Sequence, residues 1–304
     1  MLIQPWSLRS LADERRSAVL STRAWHPPAL KAMMYRLEDY AVDFAYGPQL
    51  NAFRAELGLP PARRVFHRWF LSTSLVLGLW PEWLSGAQPD YPPQLRFCGF
   101  PLADGAGGRA ADAQAALLQL SPALQAFIKT AQADGVPLVA VTLGSAPPPG
   151  AEAHFQAAVA GCALAGVRCV LLCGAETVGK MALPPHALLV KYAPFSALLP
   201  QVSVFMYNGG FGGVGQALAA GVPQLITPAV FDQYDNGNRM TKLGVAVTLP
   251  ARDFTPQRCA KALGWLRSAR VGAACEEARR RYLEDKAQPC CQAAAAAIVE
   301  VLGK

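Results

Sequence analysis

Residues Val202 to Leu249 read VSVFMYNGGFGGVGQALAAGVPQLITPAVFDQYDNGNRMTKLGVAVTL, and this stretch decides the fold. Val202 to Met206 is a short apolar run, as expected of a buried parallel strand. Gly209, Gly210, Gly212, Gly213 and Gly215 follow at once. Without Cβ atoms the backbone can turn sharply there and let a ligand approach closely. The spacing then predicts a helix starting near Val214, whose free N–H groups and positive dipole end face the turn and favour an anion. Pro223 to Thr227 reads as the next strand, ended by Pro228. Phe231-Asp232-Gln233 then falls at that strand's carboxyl end, where open α/β sheets bind ligands.

Two functional readings fit this turn. Gly210-Phe-Gly212-Gly-Val-Gly215 satisfies the dinucleotide fingerprint between a strand and a helix. That fingerprint usually opens its domain and places an acidic residue at the end of the next strand. Here strand-like runs precede it, and Asp232 lies beyond Pro228. The other reading rests on several motifs in order. GG-x-G is followed by ALAAGVPQLITP, DQYDN-x-NR and LGVAVTL, and upstream stand KYAPFSALLP from Lys191, VTLGS from Val141 and RFCGFPLAD from Arg96.

Together these motifs resemble the nucleotide-sugar glycosyltransferases of two-Rossmann-domain (GT-B) architecture, in the branch holding macrolide, sterol and rhamnolipid glycosyltransferases, most of all the rhamnosyltransferase type. The resemblance covers most of the sequence. It implies an α/β protein with a doubly wound parallel-sheet C-terminal domain and a partial N-terminal Rossmann-like domain. The expected division is residues 1–104 on the acceptor side, a linker at 105–120, and a donor domain at 121–304. It also implies transfer of a hexose or deoxyhexose from a UDP- or dTDP-sugar to a hydroxyl of a small or lipid-like acceptor, with no metal or other cofactor. A catalytically silent nucleotide-sugar-binding or partner-binding relative of such an enzyme is the alternative.

Composition narrows the partners. Apolar residues make up 52% of 304, so the chain folds around a core and is not disordered. The net charge of +7 suits an anionic substrate or a peripheral contact with the inner face of a membrane. Its densest basic cluster, Arg279-Arg280-Arg281, lies among Glu276, Glu277, Glu284 and Asp285, which reads as a solvated helix face and not a nucleic-acid stripe. Eight cysteines include no C-x-x-C, and Cys98, Cys162, Cys169 and Cys173 sit in apolar runs, as reduced core thiols of a cytoplasmic protein do. His26, His67, His154 and His186 lack ligand spacing, so a metal site is not expected. No run of about 18 uninterrupted apolar residues occurs, and the N-terminus has no signal-peptide core.

Along the first hundred residues the pattern is sparse. Met1 to Pro5 reads as a strand end, Pro28 to Leu57 as helix broken at Gly47-Pro48, and Ser74 to Leu79 and Leu95 to Cys98 as strands. From Ser121, an N-cap followed by Pro122, strand and helix alternate to about residue 270, which calls for a parallel sheet. By the resemblance, Met1 aligns inside the family's N-terminal domain, beyond the loop that carries the acceptor's base. His26 and His67 follow no strand-to-glycine-loop pattern, so this chain alone is expected to transfer sugar poorly.

The resemblance also implies the donor-site residues. The glycine turn at Gly209, Gly210, Gly212 and Gly213 would hold the diphosphate, with Gly144 and Ser145 adding N–H and hydroxyl donors from the neighbouring strand end. Asp232 and Gln233 would hydrogen-bond sugar hydroxyls; Asp232 also suits a helix N-cap. Asn236 and Asn238 are weaker candidates. Tyr192 would stack on the nucleobase while the backbone of Ala193 reads its edge, although a core tyrosine fits the same pattern. Tyr207 replaces the family's pyrophosphate histidine and is followed by Asn208, so Tyr207→His is expected to tighten diphosphate binding by about 1–2 kcal/mol. Trp25, Trp69, Trp80 and Trp83 suit either packing or an apolar acceptor site.

Overall fold

A computed structural model of the protein describes residues 4–102, 117–145, 148–179, 181–285 and 289–303. The chain forms two compact units, Met1–Pro101 with Gln288–Lys304, and Leu102–Ala287. Most of the expected linker, 105–116, and Met1 to Ile3 of the expected first strand lie outside the described residues.

In the first unit, strands β1 (Val76–Gly78) and β2 (Leu95–Phe97) pair in parallel, and Pro5 opens a 3-10 turn where a strand end was expected. Helix α1 spans Pro28–Glu56 without a break at Gly47-Pro48. A proline deprives the carbonyl four residues back of its donor. Here both Phe44 and Pro48 are exposed, so that carbonyl lies on the water side and the helix continues. The segment before α1 is held from a distance: buried Arg9 pairs with Glu38 at 2.8 Å and Asp39 at 2.6 Å, and Arg15 pairs with Glu38 at 3.0 Å. Removing one partner of such a buried pair typically costs about 3–5 kcal/mol. The last helix of the chain, Cys290–Leu302, packs on these strands through Cys290, Ala293 and Ala294 against Leu77, Leu79 and Cys98. The domain division read from sequence assigns that helix to 121–304.

The second unit carries the alternation expected from residue 121. Its sheet has six parallel strands, β3 (Leu138–Val141), β4 (Arg168–Leu172), β5 (Ala187–Val190), β6 (Val204–Tyr207), β7 (Gln224–Ile226) and β8 (Ala246–Thr248), in the order β5-β4-β3-β6-β7-β8. From β3 the chain steps outward through β4 and β5. It then returns to lay β6 beside β3 and steps outward the other way. The register pairs Ala140 with Phe205 and Met206 with Leu225, and all four are fully buried. Right-handed crossovers in opposite directions place helices on opposite faces. Helix α2 (Pro122–Ala133) is capped by Ser121, whose Oγ accepts from the Leu124 amide, as its sequence predicts. Helix α3 (Ala151–Leu164) packs on the later helix Pro256–Leu266. A Cβ on Gly161 would lie 2.7 Å from Cys259, so the two helices meet at van der Waals distance only because that position is glycine. Helix α4 (Phe211–Ala220) packs on Ala269–Asp285. On that last helix the arginine cluster pairs along its own face, Arg280 and Arg281 each with Glu277 at 2.8 Å. No helix among the described residues is long and apolar enough to cross a membrane.

Candidate functional site

The strand order reverses between β3 and β6, and open α/β sheets bind ligands at the carboxyl ends of strands where that happens. Gly144-Ser145 ends β3, and Asn208-Gly209-Gly210 ends β6 and opens α4. One side chain ties the two ends together. The Asn208 carboxamide donates to the Leu143 carbonyl at 2.9 Å and accepts from the Gly210 amide at 3.1 Å. Gly144 has φ +84°, and a Cβ there would stand 3.0 Å from that carboxamide. Thr142 completes the bridge on the other side, donating to Leu172 and accepting from the Gly144 amide. Gly144 and Ser145 are both exposed at this edge.

Within the turn, the glycines serve different ends. Gly209 has φ +86°, and a Cβ would meet Ile226 Cγ2 at 2.7 Å and the Gln233 carbonyl at 3.2 Å. Its bareness lets β7 and the helix after it close on the turn. Gly212 faces open space, with nothing within 4 Å of a built Cβ. The first intrahelical bond of α4 is Val214 N–H to Gly210 O, so the amides of Gly212 and Gly213 have no intrahelical acceptor. Helix formation three residues earlier than Val214 thus brings the glycines themselves into the first turn.

Tyr207 and the Cα side of Gly213 face the other way. Tyr207 is 2% exposed, stacks on Phe205 with centroids 4.3 Å apart, and donates its hydroxyl to Gln224 Oε1 at 2.7 Å. A Cβ on Gly213 would strike the Tyr207 ring at 2.7 Å. The expectation that the Tyr207 ring meets the diphosphate is therefore corrected: strand side chains alternate, and parity puts Phe205 and Tyr207 together beneath α4. Burial, then the Asp232 charge, raises its phenol well above the ordinary range. Tyr207→His is accordingly expected to destabilise the fold and not to strengthen anion binding. Tyr207→Phe removes one buried hydrogen bond and leaves Gln224, whose Nε2 already lacks a partner, less satisfied. The expected loss is about 1–2 kcal/mol in urea unfolding, with ligand affinity unchanged.

The loop after β7 opens helix α5 (Gln233–Lys242). Phe231 is exposed at φ +48°, a left-handed conformation uncommon for a bulky residue and often found where a loop serves a ligand. Asp232 makes no side-chain cap, contrary to the capping alternative; its Oδ2 accepts from Asn236 Nδ2 at 2.7 Å. Burial raises the Asp232 pKa, and the Asn236 hydrogen bond opposes that shift. Gln233 turns its amide oxygen back onto the amides of Ala229 and Val230, at 2.8 and 3.1 Å, leaving its Nε2 hydrogens to donate elsewhere. Asn236 was the weaker candidate in sequence. It is buried, and the same Nδ2 also donates to the Gly209 carbonyl at 2.9 Å. A single carboxamide therefore joins the glycine turn to the Asp232 carboxylate. Asn236 Oδ1 is buried with no partner.

Tyr192 stands past the end of the outer strand β5 and is 69% exposed, which excludes the core-tyrosine alternative, while Ala193 is buried. Sequence reasoning did not single out His154. It stacks on Phe254 at 4.1 Å and approaches Thr227 Oγ1 at 3.4 Å, and burial pushes its pKa down to about 4, so it is neutral at pH 7.

Residues 169–301 match the C-terminal domain described as erythromycin biosynthesis protein CIII-like. The O-mycaminosyltylonolide 6-deoxyallosyltransferase of Streptomyces fradiae is 33% identical over 205 residues, covering 65% of this chain and 43% of that protein. A sterol 3-beta-glucosyltransferase of Penicillium rubens is 33% identical over 134 residues, 41% of this chain and 10% of that protein. The chain thus spans less than half the length of these relatives. Among solved structures, the glycotransferase of kitacinnamycin superposes with a TM-score of 0.61 at 24% identity, covering 89% of this chain and 62% of that one, a likeness of fold. The parallel α/β sheet, its glycine turn at the strand reversal and these matches agree: residues 169–301 match the erythromycin biosynthesis protein CIII-like C-terminal domain, and the chain is similar to macrolide and sterol glycosyltransferases.

Proposed function

We propose that the second unit binds a nucleoside diphosphate sugar and that the protein serves glycosyl transfer to a hydroxyl of a small or lipid-like acceptor. The observation that carries this reading is the Asn236 bridge, which fixes a carboxylate beside a glycine turn at the start of a helix. Phosphate oxygens suit the open amides of Gly212 and Gly213 and the positive end of α4. Ser145 supplies a further N–H and hydroxyl across the β3–β6 edge, and Gly144, whose own N–H goes to Thr142, leaves the backbone there open to approach. Sugar hydroxyls suit Asp232, an acceptor, and the donating end of Gln233.

Leaving-group stabilisation needs no metal in this arrangement: diphosphate charge develops against backbone N–H groups already oriented by the fold. The exposed Tyr192 ring offers a stacking surface for a base, with Ala193 presenting backbone beside it. The relatives' names, a glucosyl- and a 6-deoxyallosyltransferase, support a hexose or deoxyhexose. UDP and dTDP are the proposed carriers. The division into a donor domain and an acceptor side belongs to the same proposal.

Calorimetry with UDP and dTDP tests it. One or both should bind, and Tyr192→Ala should weaken binding by about 1–3 kcal/mol, the usual worth of base–aromatic stacking. Absence of binding by either nucleotide at millimolar concentration would overturn the reading.

A further inference from the structure

The first unit contains a cleft of about 790 Å³ beside α1, within the size range of small-molecule sites. Three carboxylates reach it, and each is already engaged. Asp39 accepts from Arg9 at 2.6 Å. Asp43 accepts from the backbone amides of Arg64 and Val65 at 2.8 and 2.9 Å. Asp90 accepts from Ser10 Oγ and the Leu11 amide, both at 2.6 Å. Arg36, Arg63 and Arg64 line the same cleft, and their guanidinium groups form no ion pair among the described residues. Arg9, with its side chain 2% exposed, adds a buried Nε–H that has no acceptor.

The cleft is built and not incidental. Arg64 holds a left-handed φ of 51°, a costly conformation for a long side chain, and the Asp43 carboxylate clamps the amides on either side of that turn. The clamp ties the turn that carries Arg63 and Arg64 to α1, the helix that carries Arg36. Burial and the neighbouring Arg9 hold the His67 imidazole below its ordinary pKa, so the arginines carry the positive charge.

We propose that this cleft binds a small organic anion, a carboxylate or a phosphate ester, between Arg36, Arg63 and Arg64. Guanidinium forks match both headgroups bidentately. Tyr35, Tyr40 and Leu11 supply aromatic and apolar wall for an organic body. The inference does not depend on the donor-site reading, because it concerns other residues and a different unit.

The test is titration of the protein with phenyl phosphate, benzoate and neutral benzyl alcohol. At least one of the two anions should bind more tightly than the alcohol. Arg36→Gln with Arg63→Gln, both at exposed positions, should weaken that binding roughly tenfold or more. Asp232→Ala should leave it unchanged. Binding of phenyl phosphate alone identifies a phosphate ester as the ligand class, and binding of benzoate alone an acid. Absence of anion binding at millimolar concentration, affinity no better than benzyl alcohol, or full affinity in the arginine variant would each overturn the proposal.

Discussion

Gly209→Ala is expected to cost about 2–5 kcal/mol of stability and to abolish most nucleotide binding. Two effects add. An alanine at φ +86° pays about 1–2 kcal/mol for the left-handed backbone. Its Cβ would also stand 2.7 Å from Ile226 and 3.2 Å from the Gln233 carbonyl, and overpacking of that kind costs about 1–3 kcal/mol. Relief requires Ile226 to repack or β7 to shift, and the start of α5 to move away, which strains the Asn236 bond to the Gly209 carbonyl. Urea unfolding followed by circular dichroism measures the first effect, and calorimetry with UDP or dTDP the second. Gly212→Ala is the control. Its Cβ meets nothing, so stability should hold or rise slightly, by up to about 1 kcal/mol, while a methyl beside the phosphates lowers affinity. A Gly209→Ala protein as stable as the parent would mean that the turn tolerates a side chain and that the close approach of β7 is not what the glycine serves.

Asp232→Ala is expected to leave UDP or dTDP binding largely intact and to remove the preference for the sugar-bearing form. A hydrogen bond to a charged group contributes about 1.5–3 kcal/mol. That corresponds to roughly 10- to 100-fold in the affinity ratio of nucleotide sugar over nucleotide, and to a similar fall in kcat/KM where transfer is measured. Asn236 keeps its bond to Gly209 in this variant, so the glycine turn stays in place and the two ligands report separately. Asp232→Asn retains an acceptor for Asn236 and should fall between the two. Equal losses for nucleotide and nucleotide sugar would instead assign Asp232 to the phosphate turn.

Both variants concern residues that were legible in the sequence, because their signals are local. A glycine cluster between a strand and a helix, and Asp-Gln after a strand-ending proline, need only a few neighbours to be read. The same holds for the cap at Ser121, which the structure forms with the Leu124 amide. Tyr207 was misread because the family resemblance placed it next to the glycines, while strand parity decides its direction. Phe205, two residues earlier and buried, already shares that face. The Asn236 role was half visible: Asp232 and Asn236 are four apart on a helix and meet, as that spacing implies. Its second bond, to Gly209, joins residues 27 apart and has no sequence signature. The first unit was least legible for the same reason. Arg9 and Arg15 find Glu38 and Asp39 across 23 to 30 residues, and nothing periodic announces those pairs.

The most direct measurement is a crystal structure of the protein with UDP or dTDP bound. The diphosphate should lie at the start of α4, with an oxygen about 3 Å from the Gly212 or Gly213 amide, and the base should stack on Tyr192. A nucleotide bound away from that turn, with α4's first amides facing water and Tyr192 uncovered, would contradict the proposed donor site.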